Sequence, residues 1–250
     1  YFRELNPDIV TLPQHLIANG YETAYCGKIY HAKMTDNDQS WSRRPAWKTC
    51  RYQRPKLPGT YALPENQQTW LENKQAMLAK YGPGGSGGLV HGPAYEAADV
   101  EDHVYGDGFN TQLAIATLQD HLEHKPDQPL FLALGLVKPH LDFIAPKKYW
   151  DLYDRETLPA PASELHPRGA PEVAVRSWKE LEGYTDISRN GKVSKEKAAE
   201  LRHGYYACVS YVDALVGRLL DQIDALGLGE ETVICLWGDH GFHLGEQGLW

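Results

Sequence analysis

The sequence contains no apolar run approaching the ~18 residues of a membrane-spanning helix. Its first residues, "YFRELNPDIVTLPQHL", lack the basic start, apolar core and small-residue cleavage site of a secretory leader. It has no surplus of basic residues, because 25 Lys and Arg stand against 33 Asp and Glu, a formal net charge of -8. No broad basic field therefore exists to hold nucleic acid or an anionic membrane, and an anionic substrate has to be met by a local cluster. Cysteine is scarce. Cys26, Cys50, Cys208 and Cys235 form no CxxC pair and no zinc-ligand spacing, and three of them lie in apolar segments where Cys acts as a small hydrophobe. They do not fix the redox compartment. No internal repeat is visible, and nothing in the composition specifies an oligomeric state.

What is present suits a buried core. A chain of 250 residues with 42% hydrophobic content is long enough for one α/β domain or most of a larger one. "LPQHLIA" (12–18) predicts a short helix with Pro in its first turn, stopped by "NG", and "YETAYC" (21–26) then reads as a strand. "NTQLAIATLQDHLEH" (110–124) places Leu113, Ala116, Leu118 and Leu122 near one helical face. "LFLALGLV" (130–137) reads as a strand covered on both sides. From Ser194 a long helical pattern runs to a Gly-rich stop, and "TVICLWGDHG" (232–241) predicts a further buried strand. Alternating helices and strands predict an α/β fold with a mixed, largely parallel sheet flanked by helices on both faces, in which sites gather beyond the carboxyl ends of strands. The stretches near 32–105, including the Gly-rich "YGPGGSGG" (81–88), and 155–193 read as irregular surface excursions.

The predicted strands deliver polar residues at comparable places. Asp239 and His240 follow "ICLWG" and could ligate a metal through carboxylate oxygen and imidazole nitrogen, with Gly238 and Gly241 permitting close backbone approach. The plainer alternative is an Asx turn beside a surface His. Lys28 and His31 in "GKIYH" could grip an anion and donate a proton; a solvated Lys and a satisfied His are the alternative. In "KPH", Pro139 fixes its own φ and biases Lys138 toward extended geometry, which gives Lys138 and His140 a rigid spacing, although a strand terminator would look the same. His243, Glu246 and Gln247 have no spacing that forces them toward a ligand.

Taken together, "LPQHLIANGYETAYCGKIYH", "LFLALGLVKPHLDFIAPKKYWDLY", "YYACVSYVDALVGRLLDQI" and "GDHGFHLGEQGLW" resemble the type I sulfatases of the alkaline phosphatase superfamily, and most of all their iduronate-2-sulfatase-like members. The resemblance implies a divalent cation, usually calcium, held at strand ends, with Asp239 and His240 as metal and active-site residues. It implies that Lys28, His31 and His140 surround the sulfate and leaving oxygen, with Lys138 beside them on the substrate side. It also implies a formylglycine nucleophile made from Cys or Ser in a C/S-x-P/A-x-R motif, whose hydrate attacks sulfur while a histidine protonates the departing sugar oxygen. None of the four cysteines lies in such a motif, and no early Asp-Asp metal pair is present. Phe242 stands where the family often has Trp, and Gln247 where it often has His.

The expectation is thus that residues 1–250 are the central part of a sulfatase catalytic domain without its C-terminal subdomain, inactive alone. The expected parent removes sulfate from a sulfated carbohydrate, a uronic acid 2-sulfate of a glycosaminoglycan-like polysaccharide. That implies a periplasmic, extracellular or lysosomal setting, which the residues themselves do not determine. Two other functions stay open: a phosphodiesterase or phosphonate hydrolase of the same superfamily, and a non-catalytic, sulfatase-like carbohydrate-binding module.

Overall fold

The computed structural model describes residues 2–31, 35–83, 90–175, 180–188 and 193–250. Residues 84–88 of the Gly-rich stretch lie outside the described residues. In chain order the helices are α1 (Phe2–Leu5), α2 (Leu12–Ala18), α3 (Asn37–Ser40), α4 (Pro64–Tyr81), α5 (Gly106–His124), α6 (Lys147–Trp150) and α7 (Lys195–Ala225). The strands are β1 (Glu22–Gly27), β2 (Tyr95–Glu96), β3 (Leu130–Gly135) and β4 (Phe143–Ile144). β1 pairs with β3 and β2 with β4, both in parallel, so the fold is mixed α/β with parallel strands and helices as expected. The chain divides into a first unit of Tyr1–Pro55, His103–Val137 and Ala214–Thr232, and a second of Lys56–Asp102, Lys138–Asp213 and Val233–Trp250.

In the first unit, α2 begins where the sequence predicts. Gln14 N donates to Thr11 Oγ1 at 3.3 Å and the Gln14 side chain reaches back to Thr11 N, so two orphan donors of the first turn are satisfied reciprocally. The β1–β3 pair then sorts its side chains by face. Cys26, Leu132 and Leu134 pack with Phe109, Leu113 and Ala114 of α5. Tyr25 and Phe131 turn the other way, onto the Trp41 ring, at centroid distances of 4.9 and 6.2 Å. Strand alternation of period two produces both layers.

The start of β1 is tied down by charge. Glu22, 4% exposed, accepts from Lys125 Nζ at 2.6 Å, Arg43 Nη1 at 2.7 Å and His121 Nδ1 at 2.7 Å. Arg43 also pairs with Asp120 of α5. Burial alone would raise the Glu22 carboxyl, but its three cationic or N–H partners outweigh that and bring it from 4.5 to about 2.

The far ends of the same strands meet backbone to backbone. A Cβ on Gly135 would lie 1.8 Å from Lys28 O, and one on Gly27, whose φ is +84, would lie 2.0 Å from Gly135 O. Gly135→Ala is therefore expected to destabilise the protein by about 1–3 kcal/mol through forced backbone displacement. A urea midpoint unchanged from wild type would show that the joint has slack.

In the second unit, the carboxylate of Glu96 in β2, 1% exposed, accepts from Ala62 N at 2.6 Å, Leu63 N at 3.1 Å and Asn66 Nδ2 at 2.9 Å. It satisfies backbone donors at the start of α4, whose N-cap Leu63 has no side chain able to do so. The sequence reading missed α4 as a helix because it buries no residue and so carries no apolar stripe. α7 starts at the predicted Ser, with Lys197 N donating to Ser194 Oγ at 3.2 Å. Its Gly204 lies where a Cβ would be 2.8 Å from the Trp150 ring and 2.9 Å from Phe143 Cβ. Close packing over α6 and β4 thus outweighs the ~1 kcal/mol that glycine costs inside a helix.

One expected element is absent. Residues 232–238 form no strand, and Val233 and Trp237 are 91% and 84% exposed. Apolar sequence alone does not make a strand: a ladder needs a neighbour for its N–H and C=O groups, and among the described residues no strand pairs with this segment. Of the two predicted excursions, 155–193 shows only the short 3-10 turns Glu172–Val175 and Leu181–Gly183 among its described residues.

Candidate active site

In the first unit, β1 leads directly into "KIYH". Lys28 N donates to Gly135 O at 3.0 Å, which fixes the exit of the strand, and the side chains of Lys28 and His31 are exposed. Tyr30 between them turns back, its hydroxyl 3.2 Å from Ser40 Oγ and its ring beside Phe2 and Trp41.

In the second unit, the "KPHLD" loop joins the end of the β3 segment to β4, and its Lys138–Pro139 and Leu141–Asp142 peptides are cis. His140 is one-third exposed. Its Nδ1 lies 2.6 Å from Leu141 O. A carbonyl oxygen only accepts, so Nδ1 carries hydrogen and Nε2 is the nitrogen left to give or take a proton. Nε2 faces Glu180 Oε1 at 3.7 Å. The Lys138 ammonium, which the sequence reading aims at substrate, is engaged inside its own loop by Asp142 Oδ1 at 2.7 Å and Asp142 O at 2.5 Å.

Asp239 and His240 follow the irregular apolar segment rather than a strand. Asp239 Oδ1 accepts from the N–H of the next residue, His240, at 3.0 Å, and the two side chains are 77% and 63% exposed. Phe242 links this loop to the one before β4. Its ring stands edge-on to His140 at 5.6 Å, lies 6.3 Å from the His240 ring, and packs edge-on against Phe143 at 5.9 Å and Tyr205 at 6.2 Å. Burial pushes the Tyr205 phenol up, while a hydrogen bond from the Phe242 backbone acts the other way. Two motifs about a hundred residues apart in sequence are thus gathered around one aromatic ring.

Asp239 and His240 supply one carboxylate and one imidazole. Among the described residues no group of three or more His, Cys, Asp or Glu could hold a metal ion. Since calcium takes roughly 6–8 oxygen ligands, these two residues fit only part of a coordination shell. Nor is Cys26 a nucleophile: it is buried, and burial raises its thiol to about 12. Asp142 and Glu180 escaped the sequence reading, which names Phe242 only as a departure from the family pattern. Asp142 was visible two residues after His140 in "KPHLD", whereas the contact of Glu180 with His140 has no local sequence signal.

The profile of the family Sulfatase matches residues 3–250. Human iduronate 2-sulfatase is 30% identical over 260 residues, covering 100% of this chain and 43% of the relative. A sulfatase of Formosa agariphila is 27% identical, covering 98% and 44% respectively. The phosphonate monoester hydrolase of Silicibacter pomeroyi superposes on 95% of this chain and 48% of its own with a TM-score of 0.55 at 18% identity, a likeness of fold. The chain therefore spans less than half the length of these relatives. The family match runs from residue 3 to residue 250, the stretch that holds "GKIYH", "KPH" and "DHG": the chain belongs to the sulfatase family.

Proposed function

We propose that the protein hydrolyses sulfate esters of a sulfated carbohydrate, and within that class a uronic acid 2-sulfate of a glycosaminoglycan-like polysaccharide. The observation that carries the reading is the convergence of His140 and the Asp239–His240 pair on Phe242. The finer substrate is supported by relatives named iduronate 2-sulfatase that match all of this chain over 43% of their own length. Lys28 and His31 are assigned to the anionic group, which a mobile ammonium and an imidazole can meet with charge-assisted bonds. His140, whose Nε2 is the nitrogen open to proton exchange, is assigned to protonation of the leaving sugar oxygen, and His240 to the reacting centre.

Asp239 and His240 are further assigned to a divalent cation, calcium on the family's pattern. When bound, such an ion supplies charge stabilisation at the ester oxygens. The nucleophile, formylglycine on that pattern, lies outside residues 1–250, whose four cysteines all fall outside a C/S-x-P/A-x-R motif. This reading puts the reaction where polymeric sulfated glycans occur, in the lysosome, periplasm or extracellular space. Among the described residues no helix is long and apolar enough to cross a membrane.

The test compares kcat/KM of the full-length protein on an aryl sulfate, an aryl phosphonate monoester and a 2-sulfated uronate disaccharide. Preference for sulfate over phosphonate by about 100-fold or more is expected, with the disaccharide best of all. Faster phosphonate cleavage would move the protein to the other esterases of its superfamily. Retention of sulfated polysaccharide with no turnover of any ester would make it a binding module.

A further inference from the structure

We propose that Lys138 is a positioning residue rather than a ligand of the substrate's anion: its ion pair with Asp142 fixes the loop that presents His140. The proposal deepens the reading of this site as an ester-hydrolysing centre and rests on it.

The ammonium has three hydrogens to donate, and three loop oxygens stand around it: Asp142 O at 2.5 Å, Asp142 Oδ1 at 2.7 Å and His140 O at 3.4 Å. Both side chains of the pair are only 12% exposed. An ammonium already matched to a carboxylate presents little net charge to a sulfate, and pulling it away would leave the carboxylate without its cation in a poorly hydrated place. Lys28 and His31 differ in this respect, since both are exposed.

Asp142 is braced from outside the loop. Its second oxygen accepts from Thr60 Oγ1 at 3.1 Å, and Thr60 holds a φ of 76, which a β-branched residue adopts only under constraint. The next residue, Tyr61, is 1% exposed; its hydroxyl donates to Pro93 O at 2.7 Å and accepts from Gly92 N at 3.2 Å. A chain of bonded groups therefore runs from the buried Tyr61 segment through Thr60 and Asp142 to Lys138. His140 sits between the paired residues, its carbonyl facing the ammonium and its ring tied to Leu141 O. Whatever holds the 138–142 loop also sets the direction of His140 Nε2, and proton transfer is sensitive to misplacement of a fraction of an ångström.

The experiment uses the full-length protein with Lys138→Met, Asp142→Asn and the double variant. It reads kcat and KM on an aryl sulfate, Ki for inorganic sulfate, and the ring nitrogen resonances of His140, assigned with His140→Gln. Each single variant is expected to lose about 10–100-fold in kcat, with KM and the sulfate Ki within about threefold of wild type. The double variant should lose no more than the worse single, because both changes break one strut. The His140 Nδ1 resonance should move in each. A tenfold or greater rise in sulfate Ki for Lys138→Met, with Asp142→Asn unaffected or tighter, would overturn the proposal and return Lys138 to the anion. If Lys138→Met does not fold, Asp142→Glu keeps the charge and lengthens the arm; a reduced kcat at constant KM supports the strut, and an unchanged kcat overturns it. Should the wild type turn over no ester, the hydrolase reading fails on its own, and the resonances still decide: His140 unmoved in both singles removes the positioning role.

Discussion

Asp239→Asn in the full-length protein is expected to lower kcat/KM on a sulfate ester by about 1,000-fold while moving the melting temperature by no more than about 2 °C. The asymmetry follows from the surroundings of the side chain. Asp239 is 77% exposed, and Asn retains an oxygen that can accept from His240 N as Oδ1 does now. What the substitution removes is a full negative charge, which matters to a cation or to a charge-separated transition state and little to packing. His240→Ala should behave in the same direction. Melting curves and steady-state kinetics on the same preparations decide the matter. If activity and melting temperature fall in parallel, local hydrogen bonding is the whole role of Asp239, and the assignment to the reacting centre is wrong.

The second large effect is on stability. Glu22→Gln should cost about 3 kcal/mol at pH 7, because Lys125, Arg43 and His121 lose the carboxylate they share and, among the described residues, only Arg43 keeps another, Asp120. The wild type should also show an acid limb that the variant lacks. Glu22 is held near 2 when folded, below its ordinary 4.5, so its contribution is complete above about 4.5 and disappears as pH falls from there through about 2. The displacement corresponds to about 3 kcal/mol. Urea unfolding between pH 7 and pH 2 measures it: equal slopes below pH 4.5 in wild type and variant would show that Glu22 titrates alike in both states.

These two residues also mark what can and cannot be read from the linear sequence. The helix at 12–18, the strand before "GKIYH", the strand from Leu130 and the long helix from Ser194 were legible because each carries a local signal: a cap, an apolar run, a period. α4 carries none of these, since it buries no residue, and only its helix-forming composition could have suggested it. The segment 232–238 erred the other way, with strand composition but no partner. For the candidate site, the motif residues were visible as types and spacings. The approach of Glu180 to His140 and the shared Phe242 ring were not, because both depend on which loops tertiary packing brings together, and the engagement of Lys138 by Asp142 was hidden because it depends on how their one loop folds back. Glu22 looked like one polar residue in a strand; its three partners come from two other parts of the chain.

The joint at Gly27 and Gly135 bears on how such a site can diversify. Where two strands exit with their backbones in contact, neither position has room to contribute a side chain, so new chemistry cannot be introduced there. The first positions with room for a side chain on this side lie one step further along, at the exposed Lys28 and His31. The joint works as a hinge plate does in a door: it carries no lock of its own, yet it sets the line on which the neighbouring Lys28 stands. In a saturation library of this protein, functional variants should therefore keep glycine at both positions, marking the scaffold at the scale of a single residue.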